Sequence, residues 1–258
     1  MKTPKFIKNS FLALLALTFV SSNAFAAAST STADTDDLLS KLKANGISSS
    51  YFGAMSTPMN DSFSLYNSIT VNKKLESGAS IYIQPRFNIA PADSSLLNTR
   101  IGLKKAGLIS NKTVDGEFSL YGKVDLEIGH QSSPFLLAPG SFQMPTYKMK
   151  DVTLGAYSSI RYYAFAGNNG TRDIGYGIEP WINYSIKDNL RALASFENYF
   201  QHMKGDTLST WSSSSNLKAG ASWDVTSKFN LEPFLQMDPS NLELSSTTFN
   251  VYISGTIF

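Results

Sequence analysis

From Ile47 onward the chain divides into segments of about ten residues in which every second side chain is apolar, with Gly, Asn, Asp, Ser and Pro clusters between them. In the cleanest of these, Ala79, Ile81, Ile83, Pro85, Phe87 and Ile89 share one face and oppose Ser80, Tyr82, Gln84, Arg86 and Asn88. Ile174, Tyr176, Ile178, Pro180, Ile182, Tyr184 and Ile186 oppose Gly175, Gly177, Glu179, Trp181, Asn183 and Ser185 in the same way. Period-two alternation predicts β-strands with one apolar and one polar face. It does not choose between a soluble sandwich, whose polar face meets water, and a membrane barrel, whose apolar face meets lipid.

Four features choose the barrel. The segments are long enough to cross hydrocarbon at a tilt, about twice a typical soluble strand. Short turns at Glu76-Ser77-Gly78, Lys187-Asp188-Asn189 and Thr226-Ser227-Lys228 alternate with longer polar links such as Gly205 to Ser215 and Asp238 to Ser246. Aromatic residues gather near segment ends, and Tyr162, Tyr163, Phe165, Tyr199, Phe200, Trp223 and Phe229 are expected to form interfacial girdles. The final segment, Phe249 to Phe258, carries Phe249, Val251, Ile253, Gly255 and Ile257 on one face and ends on Phe258. This end resembles the C-terminal assembly signal of Gram-negative outer-membrane barrels, which are porin-like in fold. It differs in that Phe258 has the parity opposite to the apolar face. The resemblance implies export to the outer membrane, contact with its lipid and lipopolysaccharide, and insertion by a barrel assembly machinery.

The expected fold is therefore all-β, a transmembrane antiparallel up-and-down barrel. Eleven segments are evident, and an even number is required if both ends lie on the same side, so twelve strands are expected, with ten as the alternative. The missing turn is expected between Met144 and Phe165, with Ser158-Ser159 as the candidate, because the alternation Val152, Leu154, Ala156, Ser158, Ile160, Tyr162, Ala164 runs long for one crossing. Ahead of the barrel, residues 27–46 hold a short predicted helix from Asp36 to Ala44, with acids first, Lys41 and Lys43 late and Gly46 beyond. It reads either as a lumen plug or as a loosely docked periplasmic segment. Residues 1–26 read as a secretory signal: Lys2, Lys5 and Lys8, then the apolar run Phe11 to Val20, then Ala24-Phe25-Ala26.

Setting those three lysines aside leaves 19 basic residues against 20 acidic ones. A nearly neutral chain lacks the basic stripe of a nucleic-acid binder. With no cysteine, a disulfide framework, a thiolate metal site and a lipidated cysteine are all excluded. No cofactor or metal is expected, and a homo-oligomer is compatible with the sequence.

With the apolar face in lipid, the charges on the polar face are expected to line the lumen: Arg86, Arg100, Lys104, Lys123, Asp125, Glu127, Arg161, Glu179, Arg191, Glu197, Lys218, Asp224 and Glu232. Such a set either pairs and fills the interior or lines a water channel without strong ion selectivity. The link from Gln131 to Pro145 is unusually apolar, and is expected either to fold inward as a constriction or to lie at the rim. Lys105 is a charge on the apolar parity of Ile101 and Leu103; a β-bulge at Lys104-Lys105 would turn both lysines inward, and otherwise Lys105 snorkels.

One constellation argues for an enzyme. His130 and Ser132, two apart, fall on one face of a strand with the parity of Leu126 and Ile128, and so would look outward at lipid. They resemble the His-x-Ser of outer-membrane phospholipases and lipid A deacylases. Those families follow the serine with Asn where this chain has Ser133, and the position for a residue orienting the histidine holds Met144. His202 ends a strand with no evident partner. The leading expectation is a porin-like channel for small hydrophilic solutes; the alternatives are the lipid hydrolase and a closed structural or adhesive barrel.

Overall fold

The computed structural model describes residues 32–58, 64–89, 94–112, 117–128, 135–143, 147–164, 172–207 and 209–258. The chain forms two compact units, residues 1–45 and 46–258. Within the first, helix α1 spans Thr32–Ala44, and an exposed pair, Asp37 and Lys41, sits at i, i+4 along it. The helix begins four residues earlier than the sequence suggests. The signal-like segment lies outside the described residues.

The second unit is one antiparallel sheet: β1 (Ile47–Pro58), β2 (Ser64–Lys74), β3 (Ala79–Ile89), β4 (Ser94–Lys112), β5 (Glu117–Ile128), β6 (Phe135–Gln143), β7 (Tyr147–Met149), β8 (Val152–Ala164), β9 (Arg172–Lys187), β10 (Leu190–Met203), β11 (Ser212–Thr226), β12 (Phe229–Met237) and β13 (Thr248–Thr256). Apart from β6 and β7, which do not pair with each other, each strand pairs with the next in sequence, in an up-and-down meander. The ladder also returns on itself. β1 pairs with β13 from Ser50↔Thr256 to Pro58↔Thr248, and β6 pairs with both β5 and β8. β6 and β7 lie in succession along β8, from Phe135↔Ala164 to Met149↔Val152, so together they make one crossing and the barrel has twelve.

Three expectations change here. Ser158 and Ser159 lie inside β8, paired with Ile178 and Gly177, and make no turn. The missing crossing is instead the apolar link: residues 135–143 of the Gln131–Pro145 segment are a wall strand, neither a constriction loop nor a rim loop. The turn sits at Lys150-Asp151, where Lys150 adopts a left-handed backbone (φ 42°) that closes a two-residue hairpin between Met149 and Val152. The predicted bulge is also displaced. Register in the β4–β5 pair slips between Lys105 and Ile109, after both lysines, so Lys105 keeps the parity of Leu103 and remains exposed.

Register assigns every residue to a face. Ile81, Ile83, Leu103, Leu126, Ile128, Ile182, Ile186 and Val225 share one face and are each about half exposed, although they are the most apolar side chains of the unit. The opposite face is concave: Tyr121 of β5 reaches Tyr157 of β8 across β6, and Lys218 of β11 reaches Glu179 of β9 across β10. Side chains that skip an intervening strand meet only on the inside of a curved sheet. The polar face is thus the lumen and the apolar face the exterior, as a lipid solvent demands.

Of the expected girdle, Tyr162, Trp223 and Phe229 are exposed on the exterior and Phe200 stacks on Tyr176 there, whereas Tyr163 and Tyr199 turn into the lumen. Phe165 lies outside the described residues. Phe249, Val251 and Ile253 of β13 face outward, opposite Thr57, Met55 and Gly53; Phe258 lies beyond the strand, its carbonyl accepting from the Ser49 N–H. In the β12–β13 loop, the Asp238 carboxylate accepts from the Ser240 N–H and hydroxyl, which holds it below the usual carboxylate range.

Because the native chain has no cysteine, single cysteines report topology cleanly. In lipid vesicles, Lys150→Cys and Ser240→Cys should react with a membrane-impermeant maleimide from opposite sides, while Ser158→Cys stays protected from both. Labelling of Ser158→Cys at the rate of Lys150→Cys would restore the turn at Ser158-Ser159.

Candidate functional site: the lumen

Twelve of the thirteen charged residues read from the sequence fall on the inward face: Arg86, Arg100, Lys104, Lys123, Asp125, Arg161, Glu179, Arg191, Glu197, Lys218, Asp224 and Glu232. Glu127 is opposite Arg100 in the β4–β5 ladder, and its side chain lies outside the described set. The alternation that selects these residues does not reveal how they are distributed. The lumen wall has three chemically distinct arcs.

The first arc, β3 to β5 with β8, is basic. Arg86, Arg100, Lys104, Lys123 and Arg161 gather there around the Asp125 carboxylate, which is fully buried. Lys123 Nζ lies 2.8 Å and Arg100 Nε 3.6 Å from Asp125 Oδ2. Tyrosine rings also hold cations here: Lys104 sits 4.8 Å from the Tyr121 ring centre, and Lys123, already on Asp125, 5.1 Å from that of Tyr82. Tyr82 and Asp125 both lean over Gly102, where any Cβ would collide with them, so the strand needs glycine there. Near the outer end, the Tyr163 and Tyr199 hydroxyls are 3.0 Å apart, and Arg161 and Arg172 stack against these rings at 5.2 to 6.0 Å.

The second arc, β9 to β12, is acidic. Lys218 lies 3.1 Å from both Glu179 and Glu197, and Ser195 donates to Glu179. Arg191 pairs with Asp224 at 3.0 Å, and Asn230 donates to the same carboxylate. Glu232 accepts from the Ser222 hydroxyl at 3.0 Å. Two bases therefore serve four acids on this wall.

The third arc, β13 with β1 and β2, is aromatic and hydroxylic, and the sequence pattern did not single it out. Phe52, Tyr66 and Tyr252 face inward there, joined by Phe234 of β12. At the turn end of the lumen a cavity of about 820 Å³ is lined by Ser50, Phe52, Asp224, Asn230 and Ser254 among others.

No protein-family model and no curated protein matches the sequence. Among solved structures, an outer-membrane channel from Pseudomonas putida F1 superposes with a TM-score of 0.50 at 11% identity, covering 82% of this chain and 95% of that one. The NanC porin gives 0.48 at 9% identity over 80% and 98%, and the KdgM porin 0.46 at 11% over 81% and 99%. The fold is that of the porin-like outer-membrane β-barrels. At these identities the likeness is one of architecture alone.

His130, Ser132, Ser133 and Met144, on which the hydrolase expectation stands, lie outside the described residues. Among the described residues, no group of three or more His, Asp or Glu side chains is arranged to hold a metal. His202 does have partners, contrary to its isolation in the sequence. Register slips by one residue at the end of the β9–β10 ladder and brings Asp173 to the ring, with Nδ1 2.7 Å from its carboxylate. Nε2 faces the Thr207 carbonyl at 3.1 Å, and Trp211 packs on the ring at 5.4 Å. The buried imidazole thus ties Thr207 and Trp211, between β10 and β11, to the wall.

Two outcomes follow. Asp125→Asn keeps the shape but removes the anion 2.8 Å from Lys123; it should lower stability by about 3 kcal/mol in a urea titration of the folded barrel, and adding Lys123→Met should recover much of that. His202→Ala should make loop 204–211 susceptible to limited proteolysis without changing far-UV circular dichroism.

Proposed function

We propose that this protein is a porin-like channel of the bacterial outer membrane that passes small hydrophilic solutes by passive diffusion. The supporting observation is the closed ladder with an apolar, exposed exterior and a concave face carrying charges of both signs. A barrel whose only task was to display loops has no need of charged arcs of opposite sign along its interior. Twelve strands lie between the eight whose side chains fill the interior and the sixteen that leave an open pore, so a narrow passage fits the strand number. Lipid and lipopolysaccharide would surround the exposed exterior. Because both signs are present in similar number, the ionic preference is weak, and the arcs act on the orientation of a solute more than on its net charge.

Purified full-length protein in a planar lipid bilayer should give discrete, ohmic conductance steps with a small reversal potential in a salt gradient. Silence at every voltage, for the parent and for a chain lacking Asp36 to Ala44, would sink the channel reading.

A further inference from the structure

Each described aromatic cluster in the lumen has a charge beside it, but the two kinds of neighbour differ. On the basic arc the rings of Tyr82, Tyr121, Tyr163 and Tyr199 already hold a lysine or arginine of the protein over their faces. On the third arc, Phe52, Tyr66 and Tyr252 carry no such cation among the described residues. They form one surface. Tyr66 and Tyr252 flank Ala54 on either side, as its ladder partners in β2 and β13, and Phe52 lies one inward step away, 6.3 Å from Tyr66 and 5.4 Å from Tyr252 between ring centres. Phe234 backs Tyr252 edge-on at 4.7 Å and is itself buried. The small side chain of Ala54 leaves a dip between two tyrosines that are only half buried.

The adjoining carboxylate is equally unserved. Glu232 stands opposite Tyr252 in the β12–β13 ladder and points into the lumen. Its one described partner is the Ser222 hydroxyl; the nearby bases Lys218 and Arg191 are engaged by Glu179, Glu197 and Asp224. Among the described residues, an inward carboxylate with no ion pair, beside rings with no cation over their faces, is complementary to a ligand that supplies one. Ring faces attract cations through their quadrupole, more strongly as water is displaced, and they also bury apolar surface.

We propose that Phe52, Tyr66, Tyr252 and Glu232 form a subsite for an organic cation, an ammonium group carried on an apolar body, on the wall of the lumen. The ammonium lies between the Glu232 carboxylate and the Tyr252 ring, and the apolar body fills the dip at Ala54. The cavity below, which Phe52 also lines, gives the rest of the solute room. The proposal rests on the channel reading for the route by which such a solute arrives, and on the geometry alone for its binding.

The test is a calorimetric titration of the detergent-folded full-length protein with tetrabutylammonium chloride at constant ionic strength, with bilayer conductance measured alongside. The parent should give saturable heat. Glu232→Gln, whose amide oxygen still accepts from Ser222, and Tyr252→Leu should each weaken binding about tenfold, whereas Tyr252→Phe, which keeps the ring, should not. Matching urea midpoints would establish that all three variants fold. No saturable heat in the parent overturns the subsite. Equal affinity in the parent and Tyr252→Leu overturns it too, since the cation is then only accumulating along an acidic wall. Absence of conductance with saturable, ring-dependent heat removes the channel and supports the subsite. Conductance that bound tetrabutylammonium does not reduce overturns its position on the lumen wall.

Discussion

Hydrocarbon offers no hydrogen-bond partner, so each peptide N–H and C=O that crosses it must be satisfied within the protein. A sheet meets that demand only when it has no edge, and here it loses both edges at two places: β1 on β13, and β6 between β5 and β8. The rest of the architecture follows from this closure. Curvature separates a convex from a concave face, period two sends alternate side chains to each, and lipid on one side with water on the other fixes which residue types each face tolerates. The exposed isoleucines, leucines and valines are thus stable where a soluble sheet would bury them.

On the concave side the sequence is free to vary, and the lumen uses that freedom to separate chemistries rather than to mix them. Bases with tyrosine faces occupy one stretch of wall, acids the next, and rings with hydroxyls the third. A solute within reach of all three experiences a lateral field, because low-dielectric walls on either side concentrate the potential between the arcs. The tight contacts within the basic arc, above all Lys123 with Asp125 over Gly102, keep its charges from repelling one another out of register.

Much of this was legible in the alternation. The faces of β3, β9, β12 and β13 and the inward set of charges follow from parity, because an uninterrupted strand preserves it. The twelfth crossing was expected from the even count, but its strand did not show, and Pro139-Gly140 is the cause. Register slips between Leu137 and Gly140 on the β8 side, and proline supplies no N–H to the ladder, so the apolar residues on either side change parity and the stretch reads as a loop. The partner of His202 was hidden for a related reason: Asp173 is brought to it by a one-residue slip between strands, which no local spacing encodes. The aromatic arc was invisible because Phe52, Tyr66 and Tyr252 come from distant parts of the chain, and only the β1–β13 closure makes them neighbours.

That closure also has a kinetic meaning. Ser50 and Thr256 are paired although nearly the whole barrel lies between them in the chain, while every other ladder joins strands adjacent or nearly adjacent in sequence. The hairpins can form early at small entropic cost, but the seam between first and last strands demands the longest loop closure of the fold, which on entropic grounds puts it last. Until then both partners present open edges, with the rings of Phe52 and Tyr252 on opposite sides of the gap. The T-shaped pair they make is therefore a contact that exists only in the finished cylinder.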